Sequence, residues 1–146
     1  MRIYLDNCCL QRPLDNQTQP RIKVETEAVF AVLAIVRSGE VSLCDSEALS
    51  YEIGRIPDAT RRAESLSMLS LATEQLLVTD AVEKLAVSYE KQGVRAMDAV
   101  HLALASMAKV DYFCTCDDQL FRKASGLAAL HCQVISLLNL VVELSS

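Results

Sequence analysis

The chain has 146 residues, 51% hydrophobic and 23% charged, with a net charge of −5. That balance excludes a disordered chain, and the length fits one domain with a single sizeable core. No apolar run approaches the ~18 residues of a membrane span, and no apolar segment follows Arg2 as in a signal peptide, so the expected compartment is the cytoplasm.

The chain opens on Arg2-Ile3-Tyr4-Leu5-Asp6-Asn7, where Ile3 and Leu5 alternate with Tyr4. This predicts a short buried strand ending on a carboxylate. Open α/β sheets bind ligands outside the carboxyl ends of their strands, which puts Asp6 where chemistry is done. The residues after it show no helical spacing until about Arg21, and Arg12-Pro13-Leu14-Asp15-Asn16-Gln17 reads as turns ending at Pro20. Ile22, Val29, Phe30, Leu33 and Val36 then form an apolar helical stripe, stopped by Ser38-Gly39.

Val41-Ser42-Leu43-Cys44 predicts a second strand, and Ser46 can cap a helix to about Gly54 that carries Glu47 and Glu52. Pro57-Asp58 opens a helix reaching residue 72, with Ala63, Leu66 and Leu69 inward. Residues 76–78 read as a brief third strand. Asp80 and Glu83 have capping-box spacing before a helix ending at Gly93. Residues 96–109 form the most apolar helix, with Met97, Val100, Leu104 and Met107 spread around it, and so a buried one. Residues 112–116 give a fourth strand running into Asp117-Asp118, then a helix to about Lys123. Gln133-Val134-Ile135 predicts a fifth strand, and residues 137–144 a docked helix or edge strand. This alternation predicts one domain over residues 1–146, a three-layer α/β/α sandwich with a mostly parallel sheet.

The six cysteines are Cys8, Cys9, Cys44, Cys114, Cys116 and Cys132. One pair is adjacent and Cys114-x-Cys116 sits in an apolar run, neither being the paired spacing of zinc ligands. Disulfides are not expected without a secretory signal. All six therefore read as small buried hydrophobes. Four glycines leave no phosphate-binding loop, and no G-x-S-x-G marks a serine hydrolase. His101 reads as a core or supporting histidine rather than a general base, and His131 has no visible partner.

Acidic residues recur at element ends. Asp6 ends the first strand, Glu52 lies late in the helix after the second, Asp98 is in the first turn of the most apolar helix, and Asp117 follows the fourth strand. Singly, each can be a cap, a dipole partner or a solvated residue. Together they carry more, because two carboxylates about 5 Å apart repel by roughly 3 kcal/mol at an effective dielectric near 20. Raised proton affinity or a bound cation offsets such repulsion. Oxygen ligands select a hard ion, Mg²⁺ or Mn²⁺, able to neutralise charge on a phosphodiester. Glu47 competes with Glu52 for the second acidic position, and Asp118 stands beside Asp117.

Leu5-Asp6-Asn7, Glu52 in Ala48-Leu49-Ser50-Tyr51-Glu52-Ile53, Asp98 in Asp98-Ala99-Val100-His101-Leu102-Ala103, and Thr115-Cys116-Asp117 together resemble the PIN domain. That is the fold of VapC-type toxin ribonucleases, and the resemblance spans nearly the whole chain in the family's order. It implies metal-dependent cleavage of single-stranded RNA, with Asp6, Glu52, Asp98 and Asp117 as the metal-site acids and Asn7 and Thr115 in support. It also implies a homodimer and a small cognate antitoxin. The alternative is a PIN-like module that binds a protein partner without chemistry. A net acidic chain with 5% aromatic residues offers little basic or base-stacking surface. Arg12, Arg95 and Arg122, each near one of the acids in sequence, are the expected RNA-phosphate contacts.

Overall fold

The computed structural model describes residues 1–146. At its centre is strand β1 (Arg2–Leu5), flanked by β2 (Ser42–Ser46) and β4 (Tyr112–Cys114), with β3 (Glu74–Leu76) and β5 (Gln133–Ile135) at the edges. All pairings are parallel, in the order β3-β2-β1-β4-β5. Ile3, Tyr4 and Leu5 are fully buried on both faces of the sheet, as an all-parallel arrangement demands. Eight helices complete a single-domain, PIN-like α/β/α sandwich: α1 (Asn7–Gln11), α2 (Pro20–Arg37), α3 (Glu47–Gly54), α4 (Ala59–Leu69), α5 (Asp80–Lys91), α6 (Ala96–Ala108), α7 (Asp118–Ser125) and α8 (Leu137–Leu144).

The strand order fixes where a site can form. From β1 the chain runs outward through β2 and β3, then returns through α5 and α6 to lay β4 and β5 on the other side. The winding reverses between β1 and β4, and an open α/β sheet offers its ligand crevice at such a reversal. Leu5 pairs with Cys114, so Asp6 and Thr115 leave the sheet side by side. The Asp6 amide still donates to Cys114 O at 2.9 Å. Gly93, at φ +103°, makes the sharp turn from α5 that lets α6 begin beside this crevice.

Several expected elements shift, each for a local reason. The segment after Asp6 holds a helix, α1, whose single turn is too short to display an apolar stripe. Asp6 starts it by accepting from the Asn7 amide at 2.8 Å. Strand β3 lies at Glu74–Leu76 rather than 76–78. It is an edge strand held by Arg2, whose Nε and Nη2 donate to Glu74 at 2.9 and 2.6 Å, and it needs no continuous apolar run. Thr79, not Asp80, caps α5 by accepting from Val82 N at 3.2 Å. The tail resolves to a helix: Ser136 caps α8, which buries Leu137 and Leu140 and packs on α2. Helix α6 is buried continuously from His101 to Ser106, as its composition predicts, although Met107 points outward.

Phe30 also departs from expectation. Val29, Leu33 and Val36 of the α2 stripe are buried, whereas Phe30 is 54% exposed, and Leu66 on α4 is turned outward in the same way. Leu33→Ala is expected to cost about 2–5 kcal/mol in denaturant unfolding. Phe30→Ala should stay within about 0.5 kcal/mol, and equal losses for both would show that Phe30 is packed in solution.

Candidate active site

Asp6 leaves β1 only 6% exposed, and every polar partner its side chain has comes from the crevice. Asn7 N–H donates to Oδ1, while the Thr115 hydroxyl donates to Oδ2 at 2.9 Å and the Cys8 thiol to the same oxygen at 3.4 Å. Thr115 Oγ1 also accepts from Asp117 N at 3.1 Å, so one hydroxyl joins the ends of β1 and β4. The Asn7 carboxamide is held by Gln11, whose Nε2 donates to it at 3.1 Å.

Glu52 reaches the same place from α3. Its Oε1 meets His101 Nε2 of α6 in a short hydrogen bond. His101 is 1% exposed, and its Nδ1 lies 2.5 Å from the Tyr4 hydroxyl, which is 2.7 Å from Ser46 Oγ. Ser46 Oγ accepts from Leu49 N as the cap of α3 and shares a hydrogen bond with the Tyr4 hydroxyl. An ionised Glu52 can only accept, so Nε2–H donates to it, and Nδ1 of the neutral ring accepts from Tyr4. The chain of hydrogen bonds starts at the first turn of α3 and returns to α3 at Glu52. Ligand atoms of Asp6, Glu52 and His101 all lie within 4.8 Å of one another.

Asp98 and Asp117 complete the acidic wall. Both line a small cleft with Arg95, Gln119 and Lys123. Asp117 Oδ1 caps α7, accepting from Gln119 N and Leu120 N at 3.0 and 3.1 Å, so it combines a capping role with a position at the cleft. Asp98 has no capping role, since no side chain caps α6.

The remaining residues singled out in the sequence are placed differently. Glu47 is exposed and accepts from Val78 N at 2.7 Å, tying α3 to the segment after β3. Asp118 is drawn to Arg21 by paired bonds of 2.8 and 2.9 Å. Arg12 is engaged by Glu25 at 2.9 Å and Asp15 at 3.1 Å. These pairs belong to a ladder of alternating charge, Arg61–Asp15–Arg12–Glu25–Arg21–Asp118, that ties α4, the turn after α1, α2 and α7. Arg95 lies on the cleft, and Arg122 is exposed on α7 without an ion pair. Three participants were not assigned from sequence: Tyr4 and Ser46, which read as strand and cap, and Lys123. Lys123 follows Gln119 by four residues, which puts both on one face of α7.

Electrostatics follow from this packing. Burial pushes the Asp6 carboxyl up to about 8, with Cys8 adding to the shift and His101 and Thr115 opposing it. Burial and the charge of Asp6 lift Asp98 to about 6. For His101, burial favours the neutral ring, but the Glu52 hydrogen bond and the nearby carboxylates outweigh it and the proton is held more tightly than usual. Cys116 is held below the ordinary thiol value by hydrogen bonds with Cys8 and Cys9, with Arg12 assisting.

No protein-family model matches the chain, and no curated protein matches it. Among solved structures it is similar to a chain in the crystal structure of VapBC2 from Rickettsia felis bound to a DNA fragment from their promoter. The TM-score is 0.56 at 12% sequence identity, covering 92% of this chain and 99% of that chain. The likeness is one of fold.

A carboxyl that binds its proton more tightly folded than unfolded stabilises fully below its unfolded value of about 4, and loses that contribution as pH rises toward its folded value. With Asp6 at about 8 and Asp98 at about 6, chelator-treated protein should lose thermal stability from pH 5 to pH 8. Asp6→Asn should flatten that decline, and parallel melting curves for the two proteins would refute the placement of Asp6.

Proposed function

We propose that the chain is a divalent-metal-dependent endoribonuclease of the PIN type that hydrolyses RNA phosphodiester bonds as the toxin of a toxin–antitoxin pair. The observation that carries this reading is the approach of Asp6 to Glu52, with ligand atoms within 4.8 Å at the sheet's reversal point, together with Asp98 and Asp117 on one cleft, where the charges of Asp6, Asp117 and Glu52 are felt by Asp98. Likeness in fold to a chain of the VapBC2 assembly supports the toxin assignment and a protein antitoxin as partner. The same reading includes a homodimer working in the cytoplasm. No helix of the chain is long and apolar enough to cross a membrane.

The donor set fits a hard cation. Asp6 is buried with its proton held to about 8, chiefly because burial disfavours its charged form, and the charges of Asp6, Asp117 and Glu52 add to the raised proton affinity of Asp98. Asp6, Glu52, Asp98 and Asp117 would hold Mg²⁺ or Mn²⁺, with Glu52 favoured over Glu47 because Glu47 is turned to the Val78 amide. Such an ion, when bound, supplies Lewis-acid activation and neutralises charge at a scissile phosphate. Thr115 and the Asn7 amide fix the two oxygens of Asp6. Tyr4 and His101 fix Glu52, and His101 keeps its Nε2 proton on that carboxylate rather than serving as a base. Arg95 and Lys123, on the cleft beside Asp98 and Asp117, would meet substrate phosphates, with the exposed Arg122 of α7 as a further contact.

In a Mn²⁺-supported RNA cleavage assay, Asp6→Asn, Asp98→Asn and Asp117→Asn should each lower the rate roughly 10²-fold or more. Thermal stability should be equal or higher, since the amide relieves carboxylate repulsion and asparagine is itself a competent cap for α7. Glu52→Gln should impair less and Glu47→Gln hardly at all, whereas the reverse order would move the second acid to Glu47. Growth arrest on expression should be lost in Asp6→Asn. Equal arrest by both forms, or by neither, would favour a non-catalytic module.

For RNA binding, Arg95→Ala and Lys123→Ala should each shallow the logarithmic salt dependence by about one unit. Arg12→Ala should leave the slope unchanged because its guanidinium is already paired. A slope change confined to Arg12→Ala would place the RNA on the opposite side of Asp6.

A further inference from the structure

Buried free cysteines ordinarily behave as small apolar side chains, and scattered ones need no further account. Cys44 and Cys132 fit that description: the first is buried in β2 and the second half-buried before β5. Cys8, Cys9 and Cys116 do not. Their sulfurs come from α1 and from the turn between β4 and α7, yet all lie within 4.8 Å of one another. None is in a disulfide. Cys9 and Cys116 are buried, while Cys8 is partly open to solvent and gives the cluster its access.

We propose that Cys8, Cys9 and Cys116 form a binding site for one zinc(II) ion, separate in donor chemistry from the acidic site. Two sulfurs bound to one zinc at about 2.3 Å each stand about 3.8 Å apart, so these three need close by no more than about 1 Å. Thiolate sulfur selects zinc over Mg²⁺ and Mn²⁺, which the neighbouring carboxylates favour. Outer contacts of the kind that tune metal thiolates are already present: Cys116 N–H points at Cys8 Sγ from 3.4 Å. Thr115 Oγ1 and Asp6 Oδ2 each lie 3.4 Å from the same sulfur and border the cluster with oxygen donors.

The adjacent sites share a wall. Cys8 donates its thiol proton to Asp6, and as a zinc ligand it would give up that proton and the bond with it. Zinc at the thiols therefore alters the surroundings of Asp6 whether or not the acidic site cleaves RNA. The zinc site itself does not depend on the nuclease reading.

The test uses reduced, metal-free full-length protein and cadmium(II), the spectroscopic substitute for zinc. Titration followed by the thiolate-to-metal ultraviolet band, with native mass spectrometry for stoichiometry, should show one Cd²⁺ per chain, displaced by Zn²⁺ and not by Mn²⁺. Cys44→Ser and Cys132→Ser should bind as the parent does, and Cys8→Ser and Cys116→Ser should lose at least tenfold in affinity. A band that persists in both latter variants, or no retained ion, overturns the proposal. Should those variants fail to fold, alkylation of the parent protein decides the matter. Zinc should slow modification of Cys8 and leave the equally half-buried Cys132 unchanged, and equal or absent protection of the two overturns it.

Discussion

Burial of one carboxylate organises this molecule. Asp6 follows a strand with no exposed residue among its last three, so the sheet carries it into the interior whether or not charge is welcome there. Its neighbours then share one task. Thr115 and the Asn7 amide supply protons to its oxygens, Cys8 adds a third donor, and the group holds its own proton far above the usual carboxylate range. Asp98 and Glu52 enter the same region on separate helices, and their approach deepens the repulsion rather than relieving it. A cation is the one addition that would satisfy all of them together.

Holding several like charges together requires a frame that does not yield, and the buried tyrosine provides it. Tyr4 stacks on Phe113 of the adjacent strand with centroids 5.4 Å apart and meets His101 edge-on at 5.7 Å. Its hydroxyl sits between the cap of α3 and the ring of α6. The elements that bring in Asp6, Glu52 and Asp98 are thus connected through one phenol, within the core rather than at the surface. A network of this kind, with no buried side-chain polar atom left unpaired, fixes side-chain direction more firmly than apolar packing alone.

Much of this was legible in the sequence. The alternation of strands and helices gave the sandwich, the apolar run through His101 to Ser106 gave the buried helix, and the acids at strand ends pointed to the crevice. What escaped has physical reasons. Helix α1 is a single turn, begun by a side-chain contact rather than by periodicity, and β3 owes its place to an ion pair with Arg2. Phe30 is exposed on α2 although it shares the apolar stripe of that helix, because burial depends on which face the neighbouring elements cover. The thiol cluster joins residues more than a hundred positions apart, so its members look like isolated small hydrophobes until β1 and β4 are paired. Arg12 lies beside Asp6 in the chain, but Glu25 and Asp15 hold its guanidinium.

The ladder of alternating charge that runs from Arg61 to Asp118 decides which arginines are left without an acidic partner. By pairing Arg12 and Arg21 with acids, it offsets two positive charges within the protein and leaves Arg95 and Lys123 as the basic residues on the cleft beside Asp98 and Asp117. There a polyanion would meet like charge and counter-charge together, whereas a cation would be drawn by the carboxylates. If the proposed cation and polyanion both bind there, their occupancies are linked, and each must change the other's binding by the same factor.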